Sequence, residues 1–270
     1  MSLIRLFSWG WMAIGLFLVL FKQAWEHFFP TLIPEWIDSA LPPLQPPSFF
    51  HFWGTDELGR DVLIRLLFGT GYSLAFSFLV AVLTCILGIS IGILISVSST
   101  QFKKLLNLGT DTVSSLPFLP LALICLSFYP SNLPILGLLK SFLSWGPLAQ
   151  FIRMESELVL NGPIIQSARS QGIPSFRILW KHLLPLVLPL GLSFFPFLVF
   201  STVLTLSTLD YFGLGFPIPT PTLSEMFRQY QEHGEAWWLF IFPFLVTTSL
   251  LWNLQLTQNT YRSLMQQQAY

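Results

Sequence analysis

The residues of this chain whose types and spacing can do chemistry fall in two short polar stretches, and neither has the layout of a catalyst. The first, Gly54-Thr55-Asp56-Glu57-Leu58-Gly59-Arg60-Asp61, sets three carboxylates and a guanidinium around two glycines, which suits charge pairing and tight turns. Read locally, it is a solvated loop with an Asx-type turn and a helix cap at Thr55 or Asp56. The second runs from Asn161 to Pro185, a polar, helix-compatible island between strongly apolar segments. Phe176, Leu179 and Leu183 recur in it at i, i+3 and i+7, while Ser167, Ala168, Ser170 and Gly172 are small enough to let another surface approach. Glycine suits the left-handed residue just past a helix and proline the first turn of the next. Gly172 and Pro174 therefore predict two short helices meeting at Gly172. Such an island is built to dock.

Bond-making chemistry lacks its motifs in this sequence. There is no GxxxxGK[ST] phosphate loop, no HExxH and no GxSxG, and His27, His51, His182 and His233 are scattered without ligand spacing. Cys85 and Cys125 lie in apolar runs and read as packing residues. No cofactor or metal is expected on this chain. Net charge is zero and no basic tract or aromatic-basic platform is present, which argues against nucleic acid as a partner.

The elements that must carry the two stretches are membrane spans. Hydrophobic residues make up 53% of the chain and charged residues 10%, where soluble domains carry about 25% charged. A bilayer crossing takes roughly 20 mostly apolar residues, and six runs qualify, at about 6–22, 72–97, 108–129, 132–150, 183–209 and 237–256. The first reads as a retained anchor, because no small-x-small cleavage site follows Phe21 before Trp25 and Glu26. Pro30, Pro34, Pro42, Pro43, Pro46 and Pro47 make the next segment an extended external linker. Leu63, Leu66 and Leu67 share one helical face and predict a short interfacial helix after it. The chain thus divides into an anchor, linker and interfacial helix over 1–71 and a transmembrane domain over 72–270, with a polar loop at 151–182.

Orientation follows from the basic residues. With the amino terminus inside, Arg5, Lys103, Lys104, Arg153, Arg169, Arg177, Lys181 and Arg262 are cytoplasmic, against Lys22, Arg60, Arg65 and Arg228 outside. Both termini and the island are then cytoplasmic. Of the ionisable groups near the spans, Asp111 is expected to cap the cytoplasmic start of the third, and Lys140 to snorkel. Asp210 has no chain of carboxylates or histidines around it that would make a proton relay.

Gln166-Ser167-Ala168, three residues, Gly172, and then Leu184-Pro185 resemble the EAA loop of bacterial ABC importer permeases, their socket for the cytoplasmic ATPase; glutamate is usual where Gln166 stands. The run GTDELGRDV is similar to a signature of the oligopeptide, dipeptide and nickel branch of those permeases. Asp111 with Ser115-Leu116-Pro117, Arg153 with Glu157-Leu158-Val159, His182, and Phe212-Gly213-Leu214-Gly215 with Met226 extend the resemblance over about 40–256. The sequence departs from the pattern at Leu108 and Gln150, where arginines are usual, and at Leu223-Ser224, where Trp-Gly is usual.

The resemblance implies an all-α polytopic fold of the type I ABC importer permease kind, with six transmembrane helices and a cytoplasmic coupling loop between spans four and five. It assigns ATPase docking to Gln166, Ser167, Ala168, Arg169, Gly172, Pro174, Ser175 and Arg177. An external gate or binding-protein contact falls to Gly54, Thr55, Asp56, Gly59, Arg60, Asp61, Gly213 and Gly215. The implied partners are a homologous second permease in a heterodimer, two ATPase subunits that use ATP and Mg, and an extracytoplasmic substrate-binding protein, all at a bacterial inner membrane. Peptides are the implied cargo, with nickel or another small solute as the alternative. A secondary transporter or channel would leave the docking island and GTDELGRDV unexplained, and a membrane enzyme would lack a nucleophile-base pair. Only Gln166 and the two missing arginines favour a non-transporting scaffold.

Overall fold

The computed structural model describes residues 42–129, 132–216 and 220–268, with Ala13 and Phe17, and gives side chains as far as 256. The first expected span, apart from those two residues, lies outside the described residues, as do Pro30, Pro34, Pro217 and Pro219. Every regular element among the described residues is helical, and the only pairing of the β kind there is an isolated bridge between Thr55 and Asp61.

Helix α1, Val62–Val97, is apolar enough and, at about 54 Å by its 36 residues, long enough to cross a bilayer with length to spare. It begins ten residues before the expected span. The stripe of Leu63, Leu66 and Leu67 is therefore the start of this helix and not a separate interfacial one, and Leu66 is fully buried.

Helices α2, Thr100–Ser115, and α3, Phe118–Phe128, replace the single third span and meet at 73°. Pro117 is the cause, since proline forces the residue before it out of the helical region, and Leu116 sits at φ −72°, ψ 125°. Asp111 consequently lies well inside α2 and not at the start of a span, which corrects its expected role as a cap.

Helices α4, Leu133–Ser144, and α5, Gly146–Leu160, together form one membrane-length rod that carries helix ten residues into the expected loop. Two short helices follow, α6, Pro163–Ser170, and α7, Ser175–Ile178. A π-helical turn, Leu179–Leu183, links them to α8, Leu184–Leu192, and α9, Phe195–Tyr211. Pro185 has no N–H, so the carbonyl of Lys181 has no α-type donor and the helix widens just there. Helices α10, Glu225–Glu232, and α11, Trp238–Gln268, complete the set. The described residues hold four membrane-length helices, or five when the bent pair counts as one span.

By compactness the described residues form two units. One draws on Met1–Phe78, Leu126–Leu133 and Val199–Leu256, the other on Leu79–Cys125, Pro134–Leu198 and Thr257–Tyr270. In the second unit the sequence Gly88-Ile-Ser-Ile-Gly92 brings α1 against α5: a Cβ at Gly88 would stand 2.8 Å from the Leu148 side chain, and one at Gly92 2.6 Å from the Ala149 carbonyl. Small residues four apart let helix backbones meet closely where lipid gives no hydrophobic drive. Overpacking of such a seam costs about 1–3 kcal/mol or more. Gly92→Leu is expected to lower the melting temperature of the detergent-solubilised protein by several degrees and cut its accumulation; a wild-type melt would show that the seam opens freely.

Candidate functional site

In the first unit the GTDELGRDV stretch folds into a rigid knot. Gly54 and Gly59 take φ of +75° and +76°, where glycine is at ease, and a Cβ on Gly54 would lie 2.5 Å from the Gln45 carbonyl. The Thr55 hydroxyl donates to the Pro42 carbonyl at 3.0 Å and accepts the Gln45 N–H at 2.8 Å, and the Trp238 indole donates to the Thr55 carbonyl at 3.0 Å. Asp56 Oδ1 accepts the N–H groups of Leu58 and Arg60 at 2.9 and 2.8 Å, which is the expected Asx turn. The helix cap falls elsewhere. Asp61 Oδ1 takes the Ile64 N–H at 3.2 Å, and its Oδ2 meets His51 Nδ1 at 3.0 Å, so Asp61 and neither Thr55 nor Asp56 starts α1.

The central charges of this knot, Asp56 and Arg60, are buried, which rules out the solvated loop. Arg60 Nε donates to Asp56 Oδ2 at 2.6 Å, and Arg60 Nη2 lies 3.3 Å from Glu225 Oε1. Arg65, fully buried, pairs through Nη2 with Glu225 Oε2 and places Nε 3.5 Å from Asp56 Oδ2. Two guanidinium groups thus face two carboxylates, with Asp56 at 0% and Arg60 at 2% exposure. The cluster ties the loop and the first turn of α1 to α10. Arg65 is legible in the sequence only as an outer charge, although an arginine among apolar helix positions is itself the signal of an inward-facing partner.

The loop after α9 is held by a different device. Gly213 takes φ +72°, its N–H bonds to the Asp210 carbonyl at 2.9 Å, and the Leu214 N–H reaches the Leu209 carbonyl at 2.8 Å. That pair of bonds is a Schellman cap. Asp210 then turns its carboxylate onto the Phe216 N–H at 3.2 Å, and only a glycine at 215 clears it.

In the second unit Gly172 ends α6 by the same cap. Its φ is +77°, its N–H bonds to the Arg169 carbonyl at 2.9 Å, and the Ile173 N–H bonds to the Ala168 carbonyl at 3.1 Å. Pro174 restarts the chain as the N-cap of α7. Gln166, Ser167, Arg169, Pro174, Ser175 and Arg177 are exposed around this joint. Two readings of the island change. Ala168 is buried with Ile165, so it packs and offers no surface, and Phe176 is 72% exposed while Ile178 and Leu183 are the buried positions. Gln166 folds its amide back to the Asn161 carbonyl at 3.0 Å.

A ladder of polar pairs braces the helix that leads into the joint. Lys103 meets Glu157 at 2.6 Å, Arg153 donates to Asn107 at 2.7 Å, and Gln150 donates to Asp111 at 2.8 Å, so α2 and α5 run antiparallel with matched rungs. Lys140 does not snorkel. It is 8% exposed and its ammonium lies 4.9 Å from the centroid of the Phe118 ring. Lys103, Glu157, Asn161, Arg169 and Ser175 share a cleft of about 340 Å³ beneath the joint.

Residues 86–256 match the family described as binding-protein-dependent transport system inner membrane component. The chain is 30% identical over 206 residues to the inner membrane ABC transporter permease protein YejE of Escherichia coli, covering 76% of this chain and 60% of that one. It is 28% identical to the peptidoglycan transport system permease protein YejE of Agrobacterium fabrum, covering 74% of this chain and 53% of that one. To the oligopeptide transport system permease protein OppC of Haemophilus influenzae it is 26% identical, with coverage of 88% and 77%. The chain therefore spans little more than half the length of the two YejE proteins. Among solved structures, an inward-facing MetNI methionine ABC transporter chain superposes with a TM-score of 0.61 at 17% identity, over 74% of this chain and 96% of that one. That likeness concerns the fold.

Proposed function

The chain belongs to the family of binding-protein-dependent transport system inner membrane components, and from that membership we propose that it is one permease of a heterodimeric, ATP-driven importer of peptides. Its relatives' names, among them a peptidoglycan and an oligopeptide permease, support the cargo class. The single observation that carries the coupling role is the left-handed joint at Gly172, which presents Gln166, Ser167, Arg169, Ser175 and Arg177 on two short helices. Ala168 serves beneath that surface and Gly172 with Pro174 shapes it.

Two cytoplasmic ATPase subunits, holding ATP and Mg, would close and carry this helix pair with them. Because the π turn and α8 follow α7 without a linker, such a displacement passes to the span as a rigid-body movement. In this reading both termini are cytoplasmic, the transport role resides in 72–270, and the knot at Gly54–Asp61 with Gly213 and Gly215 faces an extracytoplasmic binding protein. A nickel or other small-solute cargo is the second reading within the same branch.

Vesicle uptake tests the proposal. Peptide import is expected only when this chain, a homologous permease, both ATPases and the binding protein are present together. ATP-driven import with this chain as the sole permease would sink the heterodimer, and a complete assembly that moves another solute but no peptide would sink the cargo class.

A further inference from the structure

Three phenylalanines in the outer loop stand where water would be a poor neighbour. Phe49, Phe50 and Phe52 are 83%, 86% and 63% exposed, and they lean on one another with centroids 6.1 and 6.2 Å apart. They are not loosely hung. The Ser48 N–H bonds to the His51 carbonyl at 2.8 Å, the Ser48 hydroxyl accepts the His51 N–H at 3.2 Å, and the Gly54 N–H returns to the His51 carbonyl at 3.0 Å. His51 is itself held by Asp61. A turn fixed this firmly points its three rings outward by construction, and contiguous exposed apolar surface of this kind marks a contact.

The neighbouring aromatics set the depth of that contact. Trp53, the next residue, stacks on Phe242 at 4.7 Å with planes 4° apart, and Phe242 lies in the second turn of the membrane-length helix α11. Trp237, 47% exposed, precedes the first residue of that helix, and Trp238 is bonded to the Thr55 carbonyl. Tryptophans at a helix end mark the level where hydrocarbon gives way to headgroups. The ring stack therefore hangs the Phe49–Phe52 turn at that level. Charge agrees: residues 42–54 contain no Asp, Glu, Lys or Arg, whereas Asp56, Arg60 and Asp61 just beyond are all paired.

We propose that Phe49, Phe50 and Phe52 form a lipid anchor that inserts into the headgroup–acyl boundary of the bilayer beside the start of α11. Amphipathic segments lie in this boundary by sinking apolar side chains a few ångströms below the phosphates. The anchor would clamp the outer knot to the membrane surface. This inference rests on the membrane-length helices and stands whether or not the importer reading holds.

The test uses Phe50→Cys in a Cys85→Ser, Cys125→Ser background, labelled with an environment-sensitive fluorophore on the full chain in phosphatidylcholine vesicles. Loss of the ring leaves the fold intact because Phe50 is 86% exposed and, among the described residues, rests its ring only on the similarly exposed Phe49. Insertion predicts a blue-shifted emission, loss of emission with lipids brominated near the top of the acyl chain, and resistance to iodide. A label at Gly234→Cys, which has open space around it, reports the aqueous reference. Quenching by iodide with no response to brominated lipid would overturn the anchor. Resistance to both would overturn it too, since the rings would then be covered by protein, either the first 41 residues of this chain or a partner.

Discussion

Gly172→Leu is expected to leave the chain near its normal level in the membrane while substrate uptake and stimulation of the ATPase fall about 5- to 30-fold, the range that one or two kcal/mol commands. The magnitude comes from the backbone. A leucine forced to φ +77° costs roughly 1–2 kcal/mol, and here nothing else opposes it, because no atom lies within 4 Å of where its Cβ would be. The chain relieves the strain by giving up the two capping bonds from the N–H groups of 172 and 173, which swings α6 away from α7. Insertion of the spans is unaffected. Gly172→Asn tolerates the left-handed region and should keep most uptake, and Gly109→Leu, an exposed glycine with equal free space in α2, should keep all of it. Wild-type uptake by Gly172→Leu, or equal losses at Gly109, would remove the joint from the mechanism.

Removing one partner of the buried charge cluster should do more harm to the protein than any single change at the joint. Glu225→Gln leaves Arg60 and Arg65 facing Asp56 alone, in a place where Arg65 is fully buried. Breaking a buried pair in this way destabilises by about 3–5 kcal/mol, because a charge is stranded away from water. Accumulation in the membrane should fall sharply and the melting temperature of the purified protein should drop by several degrees. Glu225→Asp keeps the charge with a shorter reach and should fall between. An unaltered melt for Glu225→Gln would mean that the two arginines find other acceptors.

The two sites differ in how far their residues betrayed them. Gly172 was legible because its cause is local: a glycine after a short polar helix and a proline two residues on leave the backbone few choices. Asp56 and Arg60 announced a turn for the same reason. Their partner Glu225 did not, since a contact across 165 positions leaves no periodicity in either segment. The rungs between α2 and α5 are hidden likewise, and Asp111 stands near the start of an apolar run in the sequence but inside a helix in the structure, because α2 begins at Thr100 and ends before Pro117. Gly88 and Gly92 carry a spacing that is a known sign of close helix contact, but the spacing does not name the helix they meet. The burial of Ala168 is not legible because smallness alone does not say which face a residue takes, and the Leu63 stripe fits a buried helix start and an interfacial helix alike.

The π turn at Leu179–Leu183 bears on how this chain can be re-tuned. Each residue of an α-helix advances about 100° around the axis, and a widened turn holds one residue more than the regular spiral. The face that α6 and α7 present and the face that α8 lays into its unit are therefore set to different rotational phases, separated by a single wound-in residue. Loss of that residue would turn one face by more than a quarter circle against the other without altering any side chain on either. The angle between the face of α7 and the face of α8 is thus written in a length, and lengths change in evolution by single steps.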